Sequence, residues 1–422
     1  MRLATGLLQV GFDKKLSPKH AMYENLKLAP PDPVFGLLEK FRSDPRDNKV
    51  NLTVGVYQDE NGQTPILNCV RQAEHHLAER GDSKSYLPID GNPEFNRLLG
   101  RLVLSDTHPA LNDRRSFSAQ TPGGTAALRI AAEVIAASGS NKKILFGSPT
   151  WANHYQIFDA VGLESLTWKH LDESGTNIDF DQACSAITQG NPGDGILLHA
   201  VCHNPTGFDY NAGQWQELLR LVTKRGLIPV FDFAYQGFDK SVESDAQVIR
   251  DFCAGDHEAF ICSSFSKNFG LYAERTGGLT IVGRSRDHIP AAASQIKSII
   301  RTMYSTPPAH GGRIVATILS DPELKRQWLT DVDEMRNRIH ETRENLAAAL
   351  AERTGSDDFE FINRQSGMFS FSGLNVRQSQ QLRDEHAVYI VENGRINVAG
   401  LNQSNIDQVA DAIAAVSAKV EA

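Results

Sequence analysis

The sequence has few cysteines and no long apolar run. Its five cysteines are scattered along 422 residues, are odd in number and match no metal-ligand spacing. We therefore expect reduced thiols, no disulfide framework and no bound metal, as in a cytoplasmic protein. No apolar stretch approaches the length needed to cross a bilayer, so we do not expect a membrane-spanning protein.

Basic tracts are also missing. The 43 Lys and Arg residues are outnumbered by 51 Asp and Glu residues, which gives a formal net charge of -8. Proteins that bind nucleic acid or an anionic membrane surface usually carry a basic patch. We therefore expect small-molecule ligands and neither nucleic acid nor a membrane as partner.

Residues 1–21 lack the long apolar segment and the small-residue cleavage site of a signal peptide. We interpret them as a disordered extension and expect the ordered protein to begin near Met22. A rigid, proline-rich entry at residues 30–33 precedes the first helical pattern. Residues 50–57 then alternate like a strand and lead to a turn at residues 60–62.

Beyond residue 120, short apolar runs alternate with helical patterns. The predicted strands cover 143–146, 195–199, 227–233 and 260–263, and the predicted helices include 126–137, 151–161, 213–225 and 321–353. This alternation indicates an α/β fold with a mostly parallel sheet covered on both faces. The chain is too long for one core, so we expect two or more folding units.

The stretch from Ser263 to Arg275 follows an apolar run, where a buried strand is expected to reach the ligand-binding edge of the sheet. Within it, Lys267 stands among small and aromatic residues. Desolvation and a neighbouring positive charge both lower the pKa of an amine, as a Schiff-base lysine requires. The alternative interpretation is an ordinary surface lysine after a strand.

The same letters also match S-x-x-K, the nucleophile motif of penicillin-interacting serine enzymes. The companion motifs S-D-N and K-T-G appear nowhere in the sequence. We therefore set the serine-acylase interpretation aside.

Further polar side chains follow or interrupt the predicted strands. Gly123–Thr125 introduces a helix, whose N–H groups and dipole favour an anion. Asn204 lies in a loop that is either a plain tight turn or a ligand contact. Asp232, inside an apolar run, needs a cationic partner, which a structural salt bridge would also supply. Tyr235 would place a hydroxyl in the same cleft.

Trp151, His154 and His199 permit two interpretations. Trp151 would be an aromatic plate if it faced the cleft, but most tryptophans are core residues. Histidines 154 and 199 likewise fit a hydrogen-bonded core position as well as a site.

Taken together, these stretches resemble the class I aminotransferases that use pyridoxal 5'-phosphate, in particular the aspartate and aromatic aminotransferases. The segments that carry the resemblance are 123–125, Trp151, 203–207, 232–238, 264–272, Arg275, 304–311 and 394–395. The resemblance runs from about Met22 to the C-terminus.

This resemblance implies the fold-type I architecture, which is a large domain with a mixed, mostly parallel sheet, plus a small α/β domain. Residues 22–65 would form the N-terminal arm and part of the small domain. Residues 66–334 would form the large cofactor-binding domain, and residues 335–422 the rest of the small domain. A homodimer with shared active sites is also implied.

The resemblance also implies roles for the candidate residues. Lys267 would attach the cofactor as a Schiff base and later move a proton between substrate and cofactor. Asp232, with His154 behind it, would pair with the pyridinium nitrogen. Asn204 and Tyr235 would bond the phenolic oxygen of the cofactor.

The remaining cofactor contacts follow in the same way. Trp151 would stack on the ring of the cofactor. The phosphate would be held by Gly124, Thr125, Ser264 and Arg275, joined by Tyr86 from the partner subunit.

The substrate contacts centre on two arginines. Arg395 would hold the α-carboxylate in a bidentate pair, and Arg301 would reach the distal carboxylate across the dimer. Gly55 would place backbone against the substrate, which Trp151 and Asn204 also border. We therefore expect a ping-pong transaminase that takes the amino group of L-aspartate to 2-oxoglutarate, giving oxaloacetate and L-glutamate.

Two alternatives remain at this stage. An aromatic-amino-acid aminotransferase is the first, because related aromatic enzymes also keep the distal arginine. Residues 85–88 are similar to that branch, and Thr302, Met303 and Thr306 depart from the aspartate enzymes. The second is a non-catalytic regulator, but such proteins usually add a DNA-binding domain, which residues 1–21 are too short to form.

Overall fold

A computed structural model describes residues 22–28, 33–139 and 142–417 of the chain. The predicted extension, residues 1–21, lies outside these ranges. The helices are α1 (Pro33–Ser43), α2 (Asn68–Arg80), α3 (Pro93–Leu104), α4 (Pro109–Asn112), α5 (Gly123–Ala137), α6 (Asn153–Asp159), α7 (Phe180–Gln189), α8 (Ala212–Arg225), α9 (Gln247–Ala254), α10 (Ile289–Met303), α11 (Ala309–Ser320), α12 (Pro322–Thr354), α13 (Val376–His386) and α14 (Ile406–Ser417). The strands are β1 (Val50–Asn51), β2 (Ser116–Pro122), β3 (Lys143–Ser148), β4 (Glu164–Lys169), β5 (Gly195–His199), β6 (Ile228–Phe233), β7 (Ala259–Ser264), β8 (Thr276–Val282), β9 (Phe369–Phe371), β10 (Val388–Tyr389) and β11 (Arg395–Asn397). Short 3-10 turns occupy Met22–Asn25, Ser244–Ala246, Arg286–His288, Glu360–Arg364 and Val398–Gly400.

A seven-stranded sheet forms the centre of the molecule, in the order β2-β8-β7-β6-β5-β3-β4. Strand β8 runs antiparallel to both of its neighbours, and the other pairs are parallel. The predicted mixed, mostly parallel sheet is therefore confirmed.

Both faces of this sheet are buried, because successive residues of a strand point to opposite sides. In β5, Ile196 and Leu198 join the apolar cluster on one face, whereas Leu197 joins the cluster on the other. Helices cover both clusters, which explains why the central strands read as continuous apolar runs rather than alternating ones.

A separate apolar cluster unites residues from both ends of the chain, among them Val50, Leu346, Ile396 and Ile413. Helix α12 connects the two regions. Its buried apolar residues up to Ile339 belong to the core beneath the large sheet, and those from Leu346 onward belong to the separate cluster. The domain boundaries predicted from the sequence stay a proposal, and this change of cluster along α12 supports a boundary within the helix.

The predicted strand at residues 50–57 is wrong beyond its second residue. The N–H of Leu52 still donates to the Tyr389 carbonyl of β10, but from Val54 onward the backbone bonds to groups outside a β-ladder. The carbonyls of Val54 and Val56 both accept from the Asn397 side chain, at 2.7 and 2.8 Å. The N–H of Tyr57 donates to the Tyr272 hydroxyl. The segment therefore lies between Asn397 and Tyr272, and its alternating pattern does not indicate a strand.

Several predicted helices differ only at their ends. Helix α5 begins at Gly123 instead of residue 126, and α6 is shorter than the predicted 151–161. None of the helices in the described ranges is long and apolar enough to span a membrane.

Candidate active site

A cavity of about 520 Å³ opens where strands β5, β6 and β7 end at the edge of the sheet. This is the edge at which open α/β sheets bind ligands. Its lining brings together residues that are far apart in sequence. They are Gly55, Gly124, Thr125, Leu128, Thr150, Trp151, Ala152, Asn153, Asn204, Pro205, Asp232, Ala234, Tyr235, Ser264, Ser266, Lys267, Arg275, Phe369, Val391, Asn393 and Arg395.

Lys267 lies in a turn directly after β7, and neighbouring residues fix that turn. The N–H of Gly270 donates to the Lys267 carbonyl at 3.0 Å. The Asn268 carbonyl accepts from the indole N–H of the fully buried Trp328 at 2.7 Å. The lysine amine therefore projects from a rigid base into the cavity.

Burial lowers the pKa of Lys267 to about 8. The negative charge of Asp232 acts in the opposite direction, and the positive charges of Arg275 and Arg395 lower the pKa further. Its Nζ atom lies 5.1 Å from the centre of the Tyr235 ring. Near neutral pH the cavity thus holds an amine that loses its proton far more readily than an exposed lysine does.

Asp232, near the end of β6, is buried and bonded from behind. Its Oδ2 atom lies 3.2 Å from Nε2 of His154, whose Nδ1 atom lies 2.9 Å from the hydroxyl of Thr150. Burial raises the pKa of Asp232, but the hydrogen bond from His154 and the nearby charges outweigh it, so the net shift is downward. The carboxylate is therefore held ionised beside the lysine.

His199 is a neighbour of Asp232 that the sequence did not assign to the site. It is the last residue of β5 and pairs with Asp232 in the register of β5 and β6. Its Nε2 atom lies 3.9 Å from the Asp232 carboxylate, and burial lowers its pKa to about 3. The ligand atoms of His154, His199 and Asp232 lie within 4.8 Å of one another, a spacing that would also suit a metal ion.

The N-terminus of α5 forms one end of the cavity. Gly123 has a φ of +76°, and a Cβ atom there would lie 2.6 Å from the Arg275 guanidinium, so only glycine fits. Arg275 is held by the Tyr272 carbonyl at 3.0 Å. Ser264 and Ser266 add hydroxyls beside it. A helix N-terminus, an arginine and hydroxyl groups together form a binding site for an anion such as phosphate.

Arg395 forms the other cationic end. Its guanidinium donates to the Thr53 carbonyl at 2.5 Å and to Asn204 Oδ1 at 3.4 Å. It lies 4.3 Å from the centre of the Phe369 ring, and a Cβ atom on Gly55 would meet that ring at 2.8 Å. Burial lowers the pKa of Arg395 to about 10.

The buried guanidinium of Arg395 lacks a counter-ion within the described part of the chain, and its Nε atom has no hydrogen-bond partner there. A buried cation without an acidic partner is costly. A ligand carboxylate in this corner of the cavity would remove that cost through a charge-assisted pair.

Two predicted site residues do not line this cavity. Tyr86 is 94% exposed, and Arg301, at the end of α10, is exposed and donates to the Ser305 hydroxyl at 2.6 Å. Both were assigned from the sequence to the active site of the partner subunit. Phe369 and Asn393 line the cavity but were missed, because nothing in their local sequence distinguishes them. Ser266 was also missed, although it lies in the stretch that carries Lys267.

The chain is similar to known proteins over most of its length. Residues 47–413 match the family model described as aminotransferase class I and II. The aspartate aminotransferase of Escherichia coli K12 is 45% identical over 395 residues, which cover 94% of this chain and all of that protein. The aromatic-amino-acid aminotransferase of Pseudomonas aeruginosa is 43% identical, with 92% of this chain and 97% of that protein covered.

Solved structures show the same similarity. An aromatic-amino-acid aminotransferase from Burkholderia pseudomallei, covalently bound to pyridoxal phosphate, superposes with a TM-score of 0.92. It is 44% identical in sequence, and the match covers 94% of this chain and 100% of that chain.

The pKa of Lys267 gives a direct test of the site's electrostatics. In the cofactor-free protein, we expect acylation of this amine to reach half its maximal rate near pH 8. Asp232→Asn should lower this midpoint, and Arg275→Gln should raise it, because the first removes a negative charge and the second a positive one. Peptide mass spectrometry after timed labelling measures the rate at this residue alone.

A midpoint near the ordinary value of 10.5 would contradict this description of the cavity. The same shift predicts a stability effect. Because the folded-state pKa lies below the unfolded one, the cost of burying this amine is full below about pH 8 and disappears as the pH rises through 10.5.

Proposed function

The chain belongs to the class I and II aminotransferases, and from this premise we propose that it transfers the amino group of L-aspartate to 2-oxoglutarate, giving oxaloacetate and L-glutamate by a ping-pong mechanism. One observation carries the proposal. A single cavity contains a lysine with a lowered pKa and a buried carboxylate, and it has a cationic side chain at each of its two ends. The aspartate aminotransferases of Escherichia coli, Salmonella typhi and Haemophilus influenzae, which are 43–45% identical, support aspartate as the donor.

Pyridoxal 5'-phosphate is the cofactor, and the residues present fit it. The close approach of Gly123 to Arg275, the N-terminus of α5 and the hydroxyl of Ser264 suit its phosphate. The buried carboxylate of Asp232 suits the pyridine nitrogen. When bound, this cofactor supplies an electron sink for the bond that breaks at the substrate Cα.

The side chains of the chain itself would then perform the following tasks. Lys267 would hold the cofactor covalently, and its amine, when free, would accept the proton that leaves the substrate Cα and later give it up again. Its low pKa leaves part of the amine free to act as a base near neutral pH. Asp232 would hold a proton on the pyridine nitrogen, and His154 holds the carboxylate in position.

Asn204 and Tyr235 would bond the phenolic oxygen of the cofactor, and Trp151 would pack against its ring. Gly124, Thr125, Ser264 and Arg275 would hold the phosphate, with Tyr86 of the partner subunit. Arg395 binds the substrate α-carboxylate beside Gly55, and Arg301 from the partner binds the distal carboxylate.

Two of these assignments, those of Tyr86 and Arg301, require a homodimer. Several large apolar side chains are exposed in the single chain, namely Tyr23, Leu26, Leu28, Ile66, Tyr86 and Met303. Exposed apolar groups of this size support burial against a second copy. A cytoplasmic location completes the proposal, since the five cysteines are free.

An aromatic-amino-acid aminotransferase is the second candidate. It is favoured by the Pseudomonas relative at 43% identity and by the Burkholderia structure. The two candidates differ in what must be bound at the distal end of the substrate, which is a carboxylate for aspartate and an apolar ring for phenylalanine.

Arg301→Gln tests the distal carboxylate assignment. We expect kcat/KM for L-aspartate to fall about a hundredfold or more, or ~3 kcal/mol, because a desolvated carboxylate loses its charge partner. The value for L-phenylalanine should change by less than about tenfold. Steady-state assays with 2-oxoglutarate and each amino acid measure both numbers.

Two further variants serve as controls. Arg301→Lys keeps the charge but loses the planar fork, so it should lie between the wild type and the glutamine variant. Lys267→Ala should abolish turnover of both substrates. Equal losses for aspartate and phenylalanine in Arg301→Gln would show that Arg301 is structural, and a wild-type preference for phenylalanine would favour the aromatic candidate.

The shared active site is tested with a hybrid dimer of one Lys267→Ala chain and one Arg301→Gln chain, isolated with two affinity tags. If Arg301 acts across the dimer, one site carries both changes and the other carries neither. The hybrid should then show about half the wild-type activity. Activity no greater than that of the two parent variants would mean that both residues serve the same subunit's site.

A further inference from the structure

Asp209 lies outside the cavity, and the proposed chemistry does not use it. Three donors nevertheless converge on its carboxylate. The N–H of Cys202 donates to Oδ2 at 2.7 Å, and the N–H of His203 donates to Oδ1 at 2.9 Å. The hydroxyl of Ser366 donates to Oδ2 at 2.5 Å.

These donors belong to two separate segments of the chain. Cys202 and His203 directly precede Asn204, which lines the cavity and contacts Arg395. The backbone of Cys202 has a φ of +55°, a conformation that a non-glycine residue keeps only when its surroundings enforce it. The two bonds to Asp209 supply that restraint.

Ser366 begins the second segment. Its N–H donates to the Gly207 carbonyl at 2.7 Å, so the segment is held to the first loop at two points. Three residues later, Phe369 packs against the Arg395 guanidinium and borders the cavity. From the other side, the buried Arg343 donates to the carbonyls of Gly367 and Phe369.

We propose that Asp209 is a positioning residue, whose carboxylate sets the loop of Asn204 and the segment of Phe369 at the mutual spacing that Arg395 needs to bind a substrate carboxylate. One side chain thereby fixes two walls of the cavity without touching a ligand. The effect on substrate rests on the proposed function, whereas the effect on the two loops does not.

Burial and several neighbouring groups affect the pKa of the Asp209 carboxylate. Burial raises its pKa to about 6, and the bonds from Ser366, His203 and Cys202 oppose that rise. Asp239 raises the pKa further, and Arg343 is the buried cation nearby. Asp209, His170 and His203 line a second, small internal cavity. Burial lowers the pKa values of both histidines and so keeps them neutral.

The test uses Asp209→Asn in the full chain. An amide has one acceptor oxygen and an NH₂ group, so it cannot accept from all three donors. In the cofactor-free protein, hydrogen exchange at the amides of Cys202 and His203 should accelerate by about tenfold or more. This measurement requires no cofactor and no activity.

In the holoenzyme, the dissociation constant of the unreactive dicarboxylate succinate should rise about tenfold. The visible absorption of the bound cofactor measures this binding. Turnover at saturating aspartate should fall less than affinity does, because the reacting groups stay in place. Ser366→Ala should also weaken the binding of succinate but leave hydrogen exchange at residues 202 and 203 unchanged.

Asp194→Asn is the matched control. Asp194 is also buried and accepts hydrogen bonds from the backbone N–H groups of Lys143 and Asn191. It lies, however, at the N-terminal ends of β3 and β5, whereas the cavity opens at the C-terminal ends of the strands. It should leave both succinate affinity and exchange at residues 202 and 203 at wild-type values.

Wild-type exchange and wild-type succinate affinity in Asp209→Asn would overturn the proposal. If that variant fails to fold, an unchanged succinate affinity in Ser366→Ala would overturn it instead. Altered exchange in a protein that shows no transamination at all would uphold the positioning of the loops and contradict the proposed function.

Discussion

The structure depends on an imbalance of charge within one desolvated cavity. Three cationic side chains, Lys267, Arg275 and Arg395, line it together with the single acidic residue Asp232. Burial alone makes such a set costly. The chain reduces the cost in two ways, because the amine loses its proton readily and the two arginines lie where ligand anions are expected to bind. The cavity therefore has a cationic group at each end, and the proposed function places a phosphate at one end and a carboxylate at the other.

The sheet makes this arrangement possible. Strands β5, β6 and β7 end side by side, and each places one polar residue at the same edge of the sheet. These residues are Asn204, Asp232 and Lys267, respectively. The rigidity comes from bonds behind these residues, such as Trp328 on the lysine turn and His154 on the carboxylate. Strands β9 and β11 contribute Phe369 and Arg395, so this end of the cavity depends on how the C-terminal part of the chain packs against the large sheet.

Much of this was predictable from the sequence, because the signals are local. The central strands are buried on both faces and therefore appear as apolar runs, and Asp232 is conspicuous as a charge inside one of them. The segment 50–57 was misread because its alternation comes from contacts with Asn397 and Tyr272, which lie far away in sequence. The role of His199 was left open and Asp209 was missed for the same reason, since their importance arises from strand register and from loops that meet only in the fold.

The proposed mechanism requires that the cofactor join the chain at the amine of Lys267. The most direct measurement is borohydride reduction of the protein saturated with pyridoxal 5'-phosphate, followed by proteolysis and peptide mass spectrometry. We expect a single stable cofactor adduct, on Lys267, that is lost when an excess of L-aspartate is added before reduction. An adduct on another lysine, or none at all, would contradict it.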